Sequence, residues 1–406
     1  MGRRGGPGER PPPRRIRTDR PVGGRPPRPG LPVVLREWAR IGCVGFGGPP
    51  AHIALLRELC VTRRGWLGDR EFEDAIAATN LLPGPASTQL AIYCAWRMRG
   101  IAGALVGGLS FIVPGLVLIL ALAALFLAAS PPGWVLGAGA GSGAAVAAVA
   151  LQAAASLAPA SWRRATARPH WVLYALAGAV SAATVGAWLV LVLLGCGAVE
   201  IAVRRARAAA SVAPVHAWPL LAAAGAASGG LLALAWVAFK VGALSYGGGF
   251  VIIPLMQHDA VDTYHWMTDG QFLNAIALGQ VTPGPVVQTV AVVGYAAAGV
   301  GGGLLAATVA FAPSFSFILI GAERFDRLRA NQAVRGFLDG AGPAAIGAIA
   351  GAAIPLALAL TTSWQLAILA AAAVALFVGR LGVVPTLIAA GAAGALASAL
   401  DAPLPR

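Results

Sequence analysis

An all-α polytopic membrane protein made of two inverted-topology repeats is the fold the sequence predicts, and three observations predict it. The 406 residues are 58% hydrophobic and 11% charged with a mean hydropathy of +0.74, far too apolar for a soluble domain of that length. Leu82-Pro83-Gly84-Pro85 returns 200 residues later as Thr282-Pro283-Gly284-Pro285. The basic residues after matching segments lie in opposite loops of the two halves.

The chain opens with a Pro/Gly-rich tail over residues 1–32. Nine Arg stand there against Glu9 and Asp19, with no apolar periodicity, so the tail reads as disordered. About half of the formal net charge of +14 therefore lies in this tail rather than over a folded face, and nucleic acid is not an expected partner. Arg14-Arg15 lacks the apolar run of an export signal, since Arg36 and Glu37 interrupt the nearest apolar stretch. A first repeat is expected over 33–207, a linker with an extra apolar helix (Trp218 to Ala238) over 208–235, and a second repeat over 236–406. Each repeat divides into a Gly-rich opening segment (Val33 to Leu56; Trp236 to Met256), a segment broken at Pro-Gly-Pro, and about four spanning segments. Ile101 to Ala129, Gly133 to Ala158 and His170 to Val203 each have the roughly 20 apolar residues a span needs. The pieces on either side of Pro83-Gly84-Pro85 are about 12 residues, too short to span. A re-entrant helix-break-helix hairpin fits them.

The 200-residue offset also pairs Gly42 with Gly242, Gly47-Gly48 with Gly247-Gly248, Trp66 with Trp266, Asp69 with Asp269 and Phe72 with Phe272, without a gap. Orientation is read from charge. Arg57, Arg63, Arg64 and Arg70 come after the first segment of half one, whereas Gln257 to Gln271 has no Lys or Arg. Arg97 and Arg99 likewise face Ala297 and Gly299. Further along the bias reverses: the link near Ser130 is uncharged while its counterpart carries Arg324, Arg327, Arg329 and Arg335. Arg163, Arg164 and Arg168 oppose Thr361-Thr362-Ser363, and Arg380 opposes Ser181. Lys and Arg are retained in cytoplasmic loops, so equivalent loops lie on opposite sides and the repeats are inverted, with a cytoplasmic N-terminal tail. Such repeats place a transport site at the midplane between them.

The residues suited to that site sit at the breaks. Pro83 and Pro85 interrupt the helical ladder, and a helix starting at Pro85 leaves the amides of Ala86, Ser87 and Thr88 without internal partners at the positive end of its dipole. That arrangement binds anions. Pro283, Gly284 and Pro285, with Val286 and Val287, repeat it. Uncharged donors come next in both halves, Ser87, Thr88 and Gln89 against Gln288 and Thr289. Asn80 and Gln280 precede the breaks, and Thr282 stands beside Pro283. The opening segments add Phe46-Gly47-Gly48 and Tyr246-Gly247-Gly248-Gly249, where glycine lets backbone approach a ligand. Arg40 and Lys240 occupy equivalent places, either attracting anions or snorkelling to an interface.

Other features carry less. Cys43, Cys60, Cys94 and Cys196 have no C-x-x-C spacing and read as small buried hydrophobes. His258, Asp259, Asp262 and His265 read as a solvated acidic loop rather than a metal site, and Glu200 and Asp339 as interfacial groups at segment ends. No G-x-S-x-G, H-E-x-x-H or Walker pattern occurs, so no metal, nucleotide or other cofactor is expected and the chain is not expected to be an enzyme. A secondary transporter remains.

Val44-Gly45-Phe46-Gly47-Gly48-Pro49, Leu81-Leu82-Pro83-Gly84-Pro85 with Gln89-Leu90-Ala91, Gly247-Gly248-Gly249 with Ile253-Pro254-Leu255-Met256, and Ala277-Leu278-Gly279-Gln280-Val281-Thr282-Pro283-Gly284-Pro285 resemble the chromate ion transporter family. These segments cover the opening of both halves, about a third of the chain. The resemblance implies a bacterial inner-membrane carrier exporting chromate, a tetrahedral oxyanion, by alternating access in a lipid bilayer, with proton coupling and a homodimer as further expectations. A sulfate or other oxyanion carrier and an anion channel are the alternatives. The chain departs from the family at Ala86, where a glutamate is common, at His52, where a glutamine is common, and at Tyr246, where phenylalanine is. The missing acid puts any proton scheme built on it in doubt. His52 could titrate in its place or be purely structural.

Overall fold

Broken helices dominate the opening of each half. The computed structural model describes residues 28–80, 82, 84–184, 189–207, 230–245, 250–322 and 331–404. The tail up to residue 27, the linker up to 229, and Pro83, Tyr246, Gly247, Gly248 and Gly249 lie outside the described residues. α1 (Leu31–Val44) starts with Pro32 in its first turn and stops at Gly45. α2 (Pro49–Arg57) restarts on two prolines and runs into a π-helical turn, Glu58–Arg63. α3 (Asp69–Thr79) leads to the first Pro-Gly-Pro break, and α4 (Ala86–Phe126) leaves it. α5 (Gly133–Ala144), α6 (Val146–Arg164), α7 (Arg168–Thr184) and α8 (Leu189–Arg207) complete half one.

Half two repeats the plan. α9 (Leu231–Leu244) corresponds to α1 and lies 200 residues on at both ends. α10 (Ile253–Gln257) passes into a π-helical turn, His258–Thr263, at the same offset. α11 (Asp269–Val281), capped by Thr268 and Gln271, leads to the second break. A 3₁₀ turn (Val286–Gln288) and α12 (Thr289–Gly321) come next, then α13 (Gln332–Leu358), α14 (Ser363–Phe377) and α15 (Val383–Ala399).

The gapless offset is corrected past Pro285. The kink glycines are Gly100 (φ 58°) and Gly299 (φ 61°), and the prolines inside the long helices are Pro114 and Pro313, so the offset there is 199. Three residues of 3₁₀ helix rise about 6 Å, as four of α-helix do, so the tighter turn absorbs one residue without displacing the rest of the helix. Gln89 and Gln288 are thereby equivalent, and Arg97 and Arg99 face Ala296 and Ala298.

Among the described residues, four helical stretches are long and apolar enough to cross a membrane, Ala86–Phe126, Gly133–Arg164, Val286–Gly321 and Gln332–Leu358, two from each half. Ile101, Leu105, Leu109, Val113 and Val117 make an exposed apolar stripe down α4, one residue per turn, suited to lipid. Inside, backbones approach at glycines. A Cβ on Gly42 would meet the Phe111 carbonyl, and one on Gly242 the Ala310 carbonyl, fixing α1 on α4 and α9 on α12. The later helices cross between halves. α13 packs on α7 and α8, with Gly340, Gly347 and Gly351 against backbone of Cys196, Ala175 and Ala179, while Gly391 and Gly394 of α15 lie on α5. The halves are interlocked rather than side by side.

Two sequence readings change here. Glu200, 3% exposed, is buried in a network: it takes hydrogen bonds from His170 (3.0 Å), Tyr174 (3.2 Å) and Arg204 (2.8 Å), and Arg204 also reaches Asp339 of half two at 2.5 Å. Packing of α13 against α8 turns two interfacial carboxylates into an inter-repeat link. Cys60, Cys94 and Cys196 are buried, but Cys43 is exposed on the outer side of α1.

Candidate functional site

The two Pro-Gly-Pro breaks meet the opening segments of the opposite halves crosswise. Gly45 ends α1, and its carbonyl accepts one hydrogen bond from the Gly284 amide of the second Pro-Gly-Pro break at 3.1 Å. It accepts another from His52 Nε2 at 2.8 Å. The negative end of α1 is thereby capped and turned away from an anion. Gly48 faces Val286 of the second helix start. The Pro283 carbonyl and the Gln288 side chain lie against Gly115 of α4, where only a hydrogen atom fits, and Gln288 Nε2 donates to the Ile112 carbonyl at 2.7 Å. The reciprocal approach brings Gly84 beside the Gly242 carbonyl of α9 and Ser314 of α12. Each Pro-Gly-Pro break thus rests on the opening segment and the long helix of the other half.

His52, 0% exposed, sits edge-on to Phe111 with ring centroids 5.0 Å apart. With Nε2 donating to Gly45, Nδ1 accepts from the Ser87 hydroxyl at 3.2 Å. It joins the first break of half one to the start of α4. Nothing in its spacing announced this, although its place one turn after Pro49 could have.

The helix starts hold fewer open amides than the sequence reading proposed. Thr88 N–H donates to the Pro85 carbonyl at 3.0 Å and Gln288 N–H to the Pro285 carbonyl at 2.9 Å, because the first turn closes immediately. Among the described residues no backbone partner is recorded for Ala86, Ser87, Val286 or Val287.

The hydroxyls divide into two groups. Thr282 is spent on the Leu278 carbonyl (2.8 Å) and Thr289 on the Val286 carbonyl (2.8 Å), as helical threonines often are. Thr88 (0% exposed), Ser245 (0%) and Ser314 (0%) keep buried oxygens with no hydrogen-bond partner among the described residues, as does one amide atom each of Gln280 and Gln288. Ser87, Thr88, Gln89, Gln280, Gln288 and Thr289 are all buried. Asn80 and Gly47 are exposed and Phe46 is 44% exposed, so these three lie outside the buried cluster. Sequence reasoning missed Ser245, Ser314 and Gly115, since none belongs to a repeated motif.

Arg40 and Lys240 are not a matched pair of free cations. Arg40 is 57% exposed and 3.8 Å from Glu37, which Arg64 also holds at 2.7 Å. Lys240 pairs with Asp259 at 2.6 Å, their side chains 17% and 9% exposed. Asp259 is thus not part of a solvated loop: the π-helical turn carries it back under α9. Removing one partner of a buried pair strands the other, at a cost of about 3–5 kcal/mol, whereas an exposed pair contributes about 0–1 kcal/mol. Lys240→Met is therefore expected to lower the thermal unfolding midpoint of the detergent-solubilised protein sharply, and Arg40→Met to leave it nearly unchanged. Equal midpoints for the two variants would contradict this assignment.

Comparison with known proteins bears on what such a site carries. The sequence pattern of the family described as "Chromate transporter" matches residues 33–201 and 232–396, one stretch in each half. The chain is 34% identical to a chromate transport protein of Cupriavidus metallidurans, over 89% of this chain and 92% of that one. It is 30% identical to a chromate transport protein of Pseudomonas aeruginosa, over 93% and 95%. A probable chromate transport protein of Synechococcus elongatus is 28% identical over 84% and 91%. No solved structure matches.

Proposed function

The chain belongs to the chromate transporter family, and from that premise we propose that it is a secondary active transporter exporting chromate across the cytoplasmic membrane by alternating access of its two inverted repeats. The observation that carries this reading is the crosswise meeting of the breaks, with Gly284 N–H bound to Gly45 O across the repeats. Two opening segments and two Pro-Gly-Pro breaks share one buried region, so a change in how one half sits on the other remakes the site's walls at once. Interrupted helices at a repeat interface near the midplane are how many carriers hold substrate.

Chromate arrives as a hydrated dianion, and the site must replace its water with oriented donors. The first turn of α4, with the Thr88 hydroxyl and the amides of Ala86 and Ser87, supplies dipoles rather than a full charge, while the Ser87 hydroxyl is held on His52. Neutral donors compensate dehydration without holding the anion as a buried cation would, which suits release on the far side. Arg40 and Lys240, each beside a carboxylate, contribute a local potential rather than direct coordination. His52 acts through Ser87 and Gly45 as a positioning residue.

Uptake of labelled chromate into inverted membrane vesicles, with and without a proton gradient and with sulfate as competitor, tests the proposal. Export coupled to protons predicts uptake that rises with the gradient. Uptake driven by the chromate gradient alone, with measurable conductance, would indicate an anion channel. Uptake of sulfate in preference to chromate would make the chain a sulfate carrier.

A further inference from the structure

Ser314 stands one residue after Pro313 in α12, far from the Pro-Gly-Pro motif in sequence, and its hydroxyl behaves unlike the others on that helix. Thr308 Oγ1 donates to the Leu304 carbonyl at 2.8 Å and Ser316 Oγ to the Ala312 carbonyl at 2.9 Å, four residues back in each case. Both are exposed toward the outside of the bundle. Ser314 is 0% exposed and its hydroxyl makes no such bond. Its Oγ instead comes within 3.3 Å of where a side chain on Gly84 would begin.

A buried hydroxyl with no partner destabilises a protein unless something else satisfies it. Water or substrate can do so here, because Gly84, beside which Ser314 Oγ and Gln89 Nε2 both lie, leads within two residues into α4, whose first turn carries Thr88 with a buried oxygen that is also open. At the equivalent place in the other half stands Gly115, which is filled by the Pro283 carbonyl and Gln288. Half two also begins its helix with Val286 and Val287 where half one has Ala86, Ser87 and Thr88. The two helix starts are therefore unequal: one begins with two valines and has Gly115 opposite its glutamine, and the other carries the open hydroxyl of Thr88 and has the open hydroxyl of Ser314 opposite its glutamine.

We infer that Ser314 is a substrate-contacting residue, and that the oxyanion sits at the α4 start between Thr88 of the first repeat and Ser314 of the second. The inference rests on the transporter reading and adds where the anion sits and which repeat completes its shell. A tetrahedral dianion accepts hydrogen bonds at every corner, so a donor across from the helix start can engage an oxygen the α4 amides do not reach. It also ties the bound anion to both repeats, so that substrate bridges them.

The test compares Ser314→Ala with the wild-type chain in two measurements, labelled chromate uptake into vesicles and labelled chromate binding to the purified protein. Loss of one hydrogen bond to a charged ligand is expected to raise the half-saturating chromate concentration roughly tenfold or more in both, with maximal uptake and membrane abundance retained. Ser316→Ala, which removes a hydroxyl already bonded to its own helix, is expected to match wild type. Sulfate should compete at the same site and weaken in parallel in the Ser314→Ala protein. Wild-type uptake with Ser314→Ala indistinguishable from it in both measurements would overturn this inference alone. A wild-type chain that neither takes up nor binds chromate would overturn it together with the proposed function.

Discussion

Gly115→Ala is expected to cut chromate transport about 100-fold, while Gly342→Ala leaves it unchanged, although both replace a helical glycine with a better helix former. A Cβ on Gly115 would overlap the Pro283 carbonyl and come within 2.6 Å of Gln288 Oε1, whereas nothing lies within 4 Å of one on Gly342. The two substitutions gain the same intrinsic helix propensity, about 1 kcal/mol. They differ in what the added methyl group strikes. At Gly115 it strikes backbone of the other repeat, which cannot rotate away as a flexible side chain would. Overpacking of this kind costs about 1–3 kcal/mol, which the folded protein can tolerate. The functional cost is larger because the second Pro-Gly-Pro break must shift, taking with it the Gln288 bond to Ile112 and the Gly284 bond to Gly45. Misplacing positioned groups by about 1 Å can cost on the order of 100-fold in rate. Uptake in vesicles, normalised to folded protein in the membrane, checks the pair. Equal activities would mean that the contact of α4 with the second break does not shape the site.

Gly115 also marks where the sequence stopped being legible. The breaks were readable because proline and glycine act locally: Pro49, Pro85, Pro254 and Pro285 restart helices, and Gly45 and Gly84 end or interrupt them, whatever surrounds them. The duplication was readable because both copies keep Pro83-Gly84-Pro85, Gly42 and Gly47-Gly48 at the 200-residue offset, and the same offset places both π-helical turns. What the breaks touch was not readable. The bond from Gly284 to Gly45 spans more than half the chain, and nothing in either neighbourhood signals the other. Ser314 looked like any serine in an apolar helix until its buried hydroxyl was found without a partner beside Gly84. Arg40 and Lys240 looked equivalent because their numbers match, yet Glu37 has no counterpart at Val237, and Asp259 has none at Leu59. The one-residue slip from 200 to 199 escaped because a 3₁₀ turn and an α turn of nearly equal rise leave no compositional trace.

Cysteines placed at Arg63 and Thr263, in a chain with the exposed Cys43 replaced by Ala, are expected to react with an impermeant thiol reagent from opposite faces of the membrane. Both residues end π-helical turns that are 200 residues apart and locally alike, and both are exposed. Any difference in the face they reach therefore reports orientation, not local structure. Arg63 stands with Arg57, Arg64 and Arg70, and the stretch around Thr263 has no Lys or Arg from Gln257 to Gln271. Retention of basic loops in the cytoplasm predicts labelling of Arg63→Cys only in inverted vesicles and of Thr263→Cys only in intact cells. Labelling from one face would make the repeats parallel, and the charge reversal would then have no explanation. The consequence for transport is direct. Two copies of one hairpin, inverted and docked break against break, can each open toward a different side by the same local movement. The state reached when half one rocks on half two is then mirrored when half two rocks on half one. Labelling from opposite faces is thus the result that the proposed alternating access requires, and labelling from one face would remove its structural basis.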